Sequence, residues 1–250
     1  MQVEVCIDHL ESLPLAIQGG ANRIELCSSL ELGGLTPSYG LMCQAAKLSA
    51  IPVYAMIRPR QGDFLCDAQD IELMCLDIEA AAQAGLQGIV TGVLTADGHV
   101  DLTAMQTLVR KAHDLKLGVT FHRAIDQCAD MPLALEQIIE LGCERVLTSG
   151  QARTAQEGIV QLHALVKQAQ GRISIMAGAG VNADNAAEIV TRTNVTEVHL
   201  SGKTTRPSQM TFIANAAQMG SAEVDDFVVP LTNPEAIGAV VSVLSDVVED

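Results

Sequence analysis

Short apolar runs alternate with amphipathic stretches from the amino terminus to about residue 200. Runs at 3–7, 22–26, 53–57, 88–91, 118–121, 145–148, 173–176 and 196–200 have the length and flanks of strands. Asp70 to Ala84, Leu102 to Leu115, Pro132 to Leu141 and Thr154 to Ala169 carry apolar residues three and four apart, the period of a helix with one buried face. Alternation of this kind predicts a parallel sheet with helical crossovers. A weak repeat supports it: a helical stretch ends in glycine and an apolar run begins within a few residues, at Gly20-Ala21-Asn22-Arg23-Ile24, Gly85-Leu86-Gln87-Gly88-Ile89 and Gly142-Cys143-Glu144-Arg145-Val146. Eight such units predict a closed (β/α)8 barrel, an α/β fold for which 250 residues is an ordinary length. No Pro- or Ser-rich linker divides the chain, so one domain over 1–250 is expected. Between about 202 and 230 the period is lost, the stretch turns acidic at Glu223-Val224-Asp225-Asp226, and a long loop is expected before a last helix from Asn233 to Val248.

Composition changes this picture in three ways. The chain is 48% hydrophobic but only 2% aromatic, so the core must be built from aliphatic side chains. A net charge of -15 argues against a nucleic-acid surface and against anionic membranes. No run approaches the roughly 18 apolar residues of a membrane span, and a cytoplasmic protein is expected. Seven cysteines without short CxxC spacing do not describe a disulfide framework, and Cys43, Cys75, Cys128 and Cys143 read as small core hydrophobes.

Chemistry is expected at the C-terminal ends of the strands, where barrels of this kind place their sites. Glu4 and Cys6 share one strand face, as do Glu25 and Cys27. If the two runs are neighbours about 4.8 Å apart, two thiols and two carboxylates converge. Arg58 follows the third strand, His122 the fifth, and His199 lies on the eighth. Glu4 and Glu25 either meet a ligand or pair with Arg23 or Arg58 inside the barrel. Gly178, Gly180 and Ser201, at the ends of the seventh and eighth strands, occupy the customary place for a phosphate or anion held by backbone N–H groups. Cys6 and Cys27, with Met56 and a histidine nearby, suit a soft ion such as Cu(I) or Zn.

Glu4-Val5-Cys6, Gly20-Ala21-Asn22-Arg23-Ile24-Glu25-Leu26-Cys27, Gly33-Gly34-Leu35-Thr36-Pro37-Ser38, Met56-Ile57-Arg58-Pro59-Arg60, Gly62-Asp63-Phe64, Thr120-Phe121-His122-Arg123-Ala124, Arg145-Val146-Leu147-Thr148-Ser149-Gly150 and Gly178-Ala179-Gly180-Val181 together resemble the CutC family of copper homeostasis proteins. The resemblance runs from residue 3 to about 201. It implies a (β/α)8 barrel, a cytoplasmic homodimer and copper binding, with the family's two cysteines falling on Cys6 and Cys27. This sequence departs from the pattern at Leu65-Cys66, where an aromatic is expected, and at Met210-Thr211-Phe212-Ile213, which lacks an arginine. Cys66 is either a third thiol at the site or a filler for the missing ring.

Three functions follow from these residues. The first is a Cu(I)-binding protein with Cys6 and Cys27 as ligands, assisted by His122 or Met56. The second is an enzyme acting on a small anionic or phosphorylated substrate, with Glu25 and His122 as acid and base, Arg58 on the anion, and Glu4 and His199 as further candidates. The third, an inert scaffold, fits poorly, because burying so many charged groups costs stability unless they are paired. Both chemical readings require the thiols of residues 6 and 27, the imidazole of His122 and the guanidinium of Arg58 to share one mouth.

Overall fold

Eight parallel strands close into a barrel in the computed structural model, which describes residues 1–214, 217 and 225–249. They are β1 (Gln2–Ile7), β2 (Arg23–Leu26), β3 (Val53–Met56), β4 (Gly88–Thr91), β5 (Gly118–Phe121), β6 (Arg145–Thr148), β7 (Ser174–Ala177) and β8 (Glu197–Leu200). The helices on the outside are α1 (Ser12–Gln18), α2 (Tyr39–Leu48), α3 (Ala68–Ala84), α4 (Leu102–Asp114), α5 (Met131–Glu140), α6 (Ile159–Ala169), α7 (Ala186–Thr193) and α8 (Pro234–Glu249). This is the (β/α)8 TIM barrel that the alternation of patterns implies. Each expected strand lies within a residue or so of its observed bounds.

The late region differs from expectation. Instead of a structureless loop, β9 (Lys203–Pro207) pairs antiparallel with β10 (Val228–Thr232), in register from Lys203 opposite Thr232 to Pro207 opposite Val228. This ribbon is mostly exposed, so its side chains need no apolar and polar alternation, and alternation is the signal that marks a strand in sequence. Of the acidic stretch at 223–226, Glu223 and Val224 lie outside the described residues.

Register explains what fills the barrel. Glu4 stands opposite Arg23 and Cys6 opposite Glu25 across β1 and β2, while Glu4 stands opposite His199 across β1 and β8. The pleat turns every second side chain inward. The inward set therefore contains Glu4, Cys6, Arg23, Glu25, Glu197 and His199, a charged interior where most barrels are aliphatic. Arg23 donates from Nε to Glu4 and from Nη2 to Glu197. Arg145 donates to Glu197 (3.2 Å), Thr120 (3.0 Å) and Glu144 (3.1 Å). Both guanidiniums lie over the Tyr54 ring, 5.7 and 5.0 Å from its centroid.

Tyr54 fits inside because two neighbouring strands present glycine. A Cβ on Gly88 would lie 2.1 Å from the nearest atom of the ring, and one on Gly118 would lie 2.5 Å from the Tyr54 hydroxyl. Gly88→Ala is accordingly expected to destabilise the protein by about 1–3 kcal/mol through overpacking. Equilibrium denaturation of the variant checks this, and a second change, Tyr54→Leu, should recover part of the loss by clearing the space.

Candidate functional site

A cavity of about 600 Å³ opens at the C-terminal end of the barrel, lined among others by Cys6, Glu25, Met56, Arg58, His122 and His199. At its floor one donor atom each from Cys6, Glu25 and His199 lies within 4.8 Å of the other two, and all three residues form a largely buried group. The strand ends place them: Cys6 and Glu25 face each other across β1 and β2, and closure of β8 onto β1 delivers His199.

His199 is held from behind. Its Nδ1 donates to Glu4 Oε1 at 2.8 Å, and Glu4 takes its other hydrogen bond from Arg23. Burial by itself raises a carboxyl pKa, but the His199 hydrogen bond and the Arg23 charge outweigh it and hold Glu4 at about 2. An ionised carboxylate only accepts, so Nδ1 carries a proton and Nε2 is directed toward Glu25 Oε2, 3.8 Å away. This carboxylate–histidine arrangement is the one that orients imidazole ligands at metal sites. Burial opposes charge on His199, yet the surrounding Cys6, Glu25 and Glu4 raise its pKa well above the ordinary value.

Glu25 carries the signature of an unfinished site. Its Oε2 accepts from the Cys27 thiol at 3.5 Å, while Oε1 is buried with no hydrogen-bond partner. A buried oxygen without a partner costs roughly 1–3 kcal/mol. Burial first, and the Glu4 charge after it, raise the Glu25 pKa against the opposing His199.

Cys27 shares the inward face of β2 as the sequence suggests but does not line the cavity, so of the four groups expected to share one mouth only Cys6, Arg58 and His122 do. It packs in an apolar interior cluster with Tyr54, Met56 and Val90. Gly34 seals it from above, where a Cβ would come within 3.0 Å of the sulfur. Burial and then the Glu25 carboxylate raise the Cys27 thiol well above its ordinary pKa. Cys66 also lies away from the cavity, with its sulfur 3.8 Å from Met74 Sδ. All seven cysteines are free.

Arg58 reaches the cavity while bracing its rim. Its Nη1 donates to the carbonyls of Leu32 (3.1 Å) and Gly34 (3.2 Å), and its Nη2 to that of Gly62 (2.9 Å). These bonds tie the loop after β2 to the loop after β3. The Arg58 Nε is buried without a partner.

His122 caps the short 3-10 helix at Arg123–Gln127, its Nδ1 accepting from Ala124 N at 3.2 Å, and packs 5.0 Å from the Phe64 ring. Burial, with the Arg58 charge adding to it, lowers its pKa to about 3. The sign for stability follows directly. Below about pH 6.5 the unfolded chain takes up a proton at this position and the folded chain does not until about pH 3, so acidification across that window favours unfolding. Between pH 7 and pH 4.5 wild type should lose about 2–3 kcal/mol more stability than His122→Gln. Denaturant titrations of both proteins at the two pH values measure it.

Gly180 and Ser201 line the cavity as the sequence suggests, together with Ala179, Val181 and Asn182. Gly178 does not; it lies under Leu147 and beside His199. Lys203 was not legible as a site residue. It comes from the exposed ribbon and lines the cavity only because β9 starts directly after β8.

Comparison with known proteins agrees with the fold. The sequence model of the CutC family matches residues 1–204. A family protein CutC of Vibrio campbellii is 65% identical over 244 residues, covering 98% of this chain and 99% of that one. One from Vibrio parahaemolyticus is 62% identical over 242 residues, covering 97% and 98%. Among solved structures, a Streptococcus agalactiae protein named for copper homeostasis, CutC, superposes with a TM-score of 0.75 at 33% identity, covering 80% of this chain and 97% of that chain.

Proposed function

This chain belongs to the CutC family, and on that premise we propose that it binds copper as cargo at the barrel mouth, through Cys6, His199 and Glu25. The observation that carries the proposal is the meeting of a thiol, an imidazole and a carboxylate within 4.8 Å, with Glu25 Oε1 buried and unpartnered beside them. Thiolate and imidazole both suit copper, and the thiolate favours Cu(I). Glu4 orients the imidazole so that Nε2 faces Cys6 and Glu25, and a metal bound there displaces the Nε2 proton. Cys27, hydrogen-bonded to Glu25, is the adjoining thiol and the candidate for a further ligand. A cytoplasmic location belongs to the same proposal, supported by seven unpaired thiols in one chain. So does a homodimer, which light scattering would test.

Titration of the reduced protein with Cu(I) against a competing chelator tests copper binding. One equivalent should be retained by wild type and surrendered by Cys6→Ser. Equal retention by the two proteins would refute the site. Cys27→Ser, measured alongside, decides whether the second thiol joins the ligand set.

A further inference from the structure

The cavity is far larger than one ion needs. At about 600 Å³ it has the size of a small-molecule pocket rather than of an ion cage. Its charge also runs against that of the protein. The chain has 30 Asp and Glu against 15 Lys and Arg, yet the lining contains Arg58, Arg123 and Lys203 and the single carboxylate of Glu25. Arg123 is neutralised by Asp126, which accepts from its Nε at 2.8 Å. Neither Arg58 nor Lys203 has a carboxylate partner among the described residues, and Arg58 keeps a buried Nε with nothing to donate to. A half-buried guanidinium left without a counter-charge in so acidic a chain is costly unless an anion visits it.

Donors gather on the β7 and β8 side of the same cavity. Ala179 sits at φ +80°, where an L side chain is strained, and Gly180 follows at φ +73°. The amides of residues 179–181 donate to no protein group among the described residues, and the Ser201 hydroxyl is likewise unused. Lys203 lines the cavity next to them. Several donors beside an ammonium suit a tetrahedral group with three acceptor oxygens better than a planar carboxylate with two. Leu30, Met56, Phe64, Leu147 and Leu200 supply apolar wall for the remainder of a ligand.

We propose that this cavity binds a small phosphate monoester with an apolar body, its phosphate on the 179–181 amides, Ser201 and Lys203, and its charge balanced by Arg58. The site goes beyond copper binding and does not require the metal, so it is tested on protein stripped of metal by a chelator, where failure of the copper proposal cannot affect the result. Calorimetric titration would use phenyl phosphate, with inorganic phosphate and phenylacetate as the arms that lack the apolar body or the tetrahedral group. Phenyl phosphate should bind more tightly than either. Lys203→Gln should weaken it about tenfold, the loss of one charge-assisted hydrogen bond. Arg58→Gln should weaken it at least as much, and because Arg58 also braces two loops, the exposed Lys203 is the variant that decides. The proposal is overturned if phenyl phosphate shows no saturable binding, if Lys203→Gln binds it as wild type does, or if phenylacetate binds equally well.

Discussion

Replacing Arg23 by methionine is expected to cost about 3–5 kcal/mol of folding stability, the largest loss expected of any single change in the barrel interior. Arg23 is buried between Glu4 and Glu197, and among the described residues it is the only guanidinium that bonds to Glu4. Without it Glu197 keeps Arg145, and Glu4 keeps only His199. A methionine fills much of the volume, so the loss reports uncompensated negative charge rather than a cavity. The double variant Arg23→Met, Glu4→Gln should therefore be more stable than the sum of the two single losses predicts, since the second change removes the charge that the first exposed. Denaturant unfolding of the four proteins in the cycle measures both quantities. A single-variant loss below about 1 kcal/mol, the scale of a surface pair, would show that the network does not behave as a buried one.

The second large effect falls on copper. Glu4→Gln leaves Cys6, Glu25 and His199 in place but replaces the carboxylate behind His199 Nδ1 by an amide, which can present either an oxygen or an NH2 group to the ring. Loss of such an outer partner costs about 10–100-fold in metal affinity. Cys6→Ser removes a ligand itself and should cost more than that. The ordering is the discriminating result: Cys6→Ser weakest, Glu4→Gln intermediate, wild type tightest, in competition with a Cu(I) chelator. Glu4→Gln binding as tightly as wild type would mean that the imidazole is not a ligand, and the metal would then have to be sought at the thiols alone. Circular dichroism and unfolding curves on the same samples separate a ligand effect from a folding one, which matters because Glu4 also belongs to the Arg23 network.

The sequence by itself determined the eight barrel strands and the helices α3, α4, α5, α6 and α8, because a strand with both faces covered and a helix with one buried face leave local periods that survive without any neighbour in view. It also determined that Glu4 and Cys6, and Glu25 and Cys27, share inward faces, since alternation along a strand is a property of the backbone. Only the tertiary structure decided what those faces meet. His199 reaches Glu4 and Cys6 across nearly 200 residues because β8 closes onto β1, and the register of that closure is not written in any local window. The tertiary structure chose Arg23 as the partner of Glu4, one of the alternatives the sequence left open, and added Glu197 through the closure of β8 onto β1. It also placed Cys27 under Gly34 among Tyr54, Met56 and Val90 rather than in the open cavity, because the loop after β2 folds back over the strand end. Lys203 had no periodic signal at all: an exposed ribbon is held by its own backbone bonds, so its side chains are free of the pattern that burial imposes. Local physics fixed which elements form, and the long-range geometry of a closed barrel fixed which of their side chains share a site.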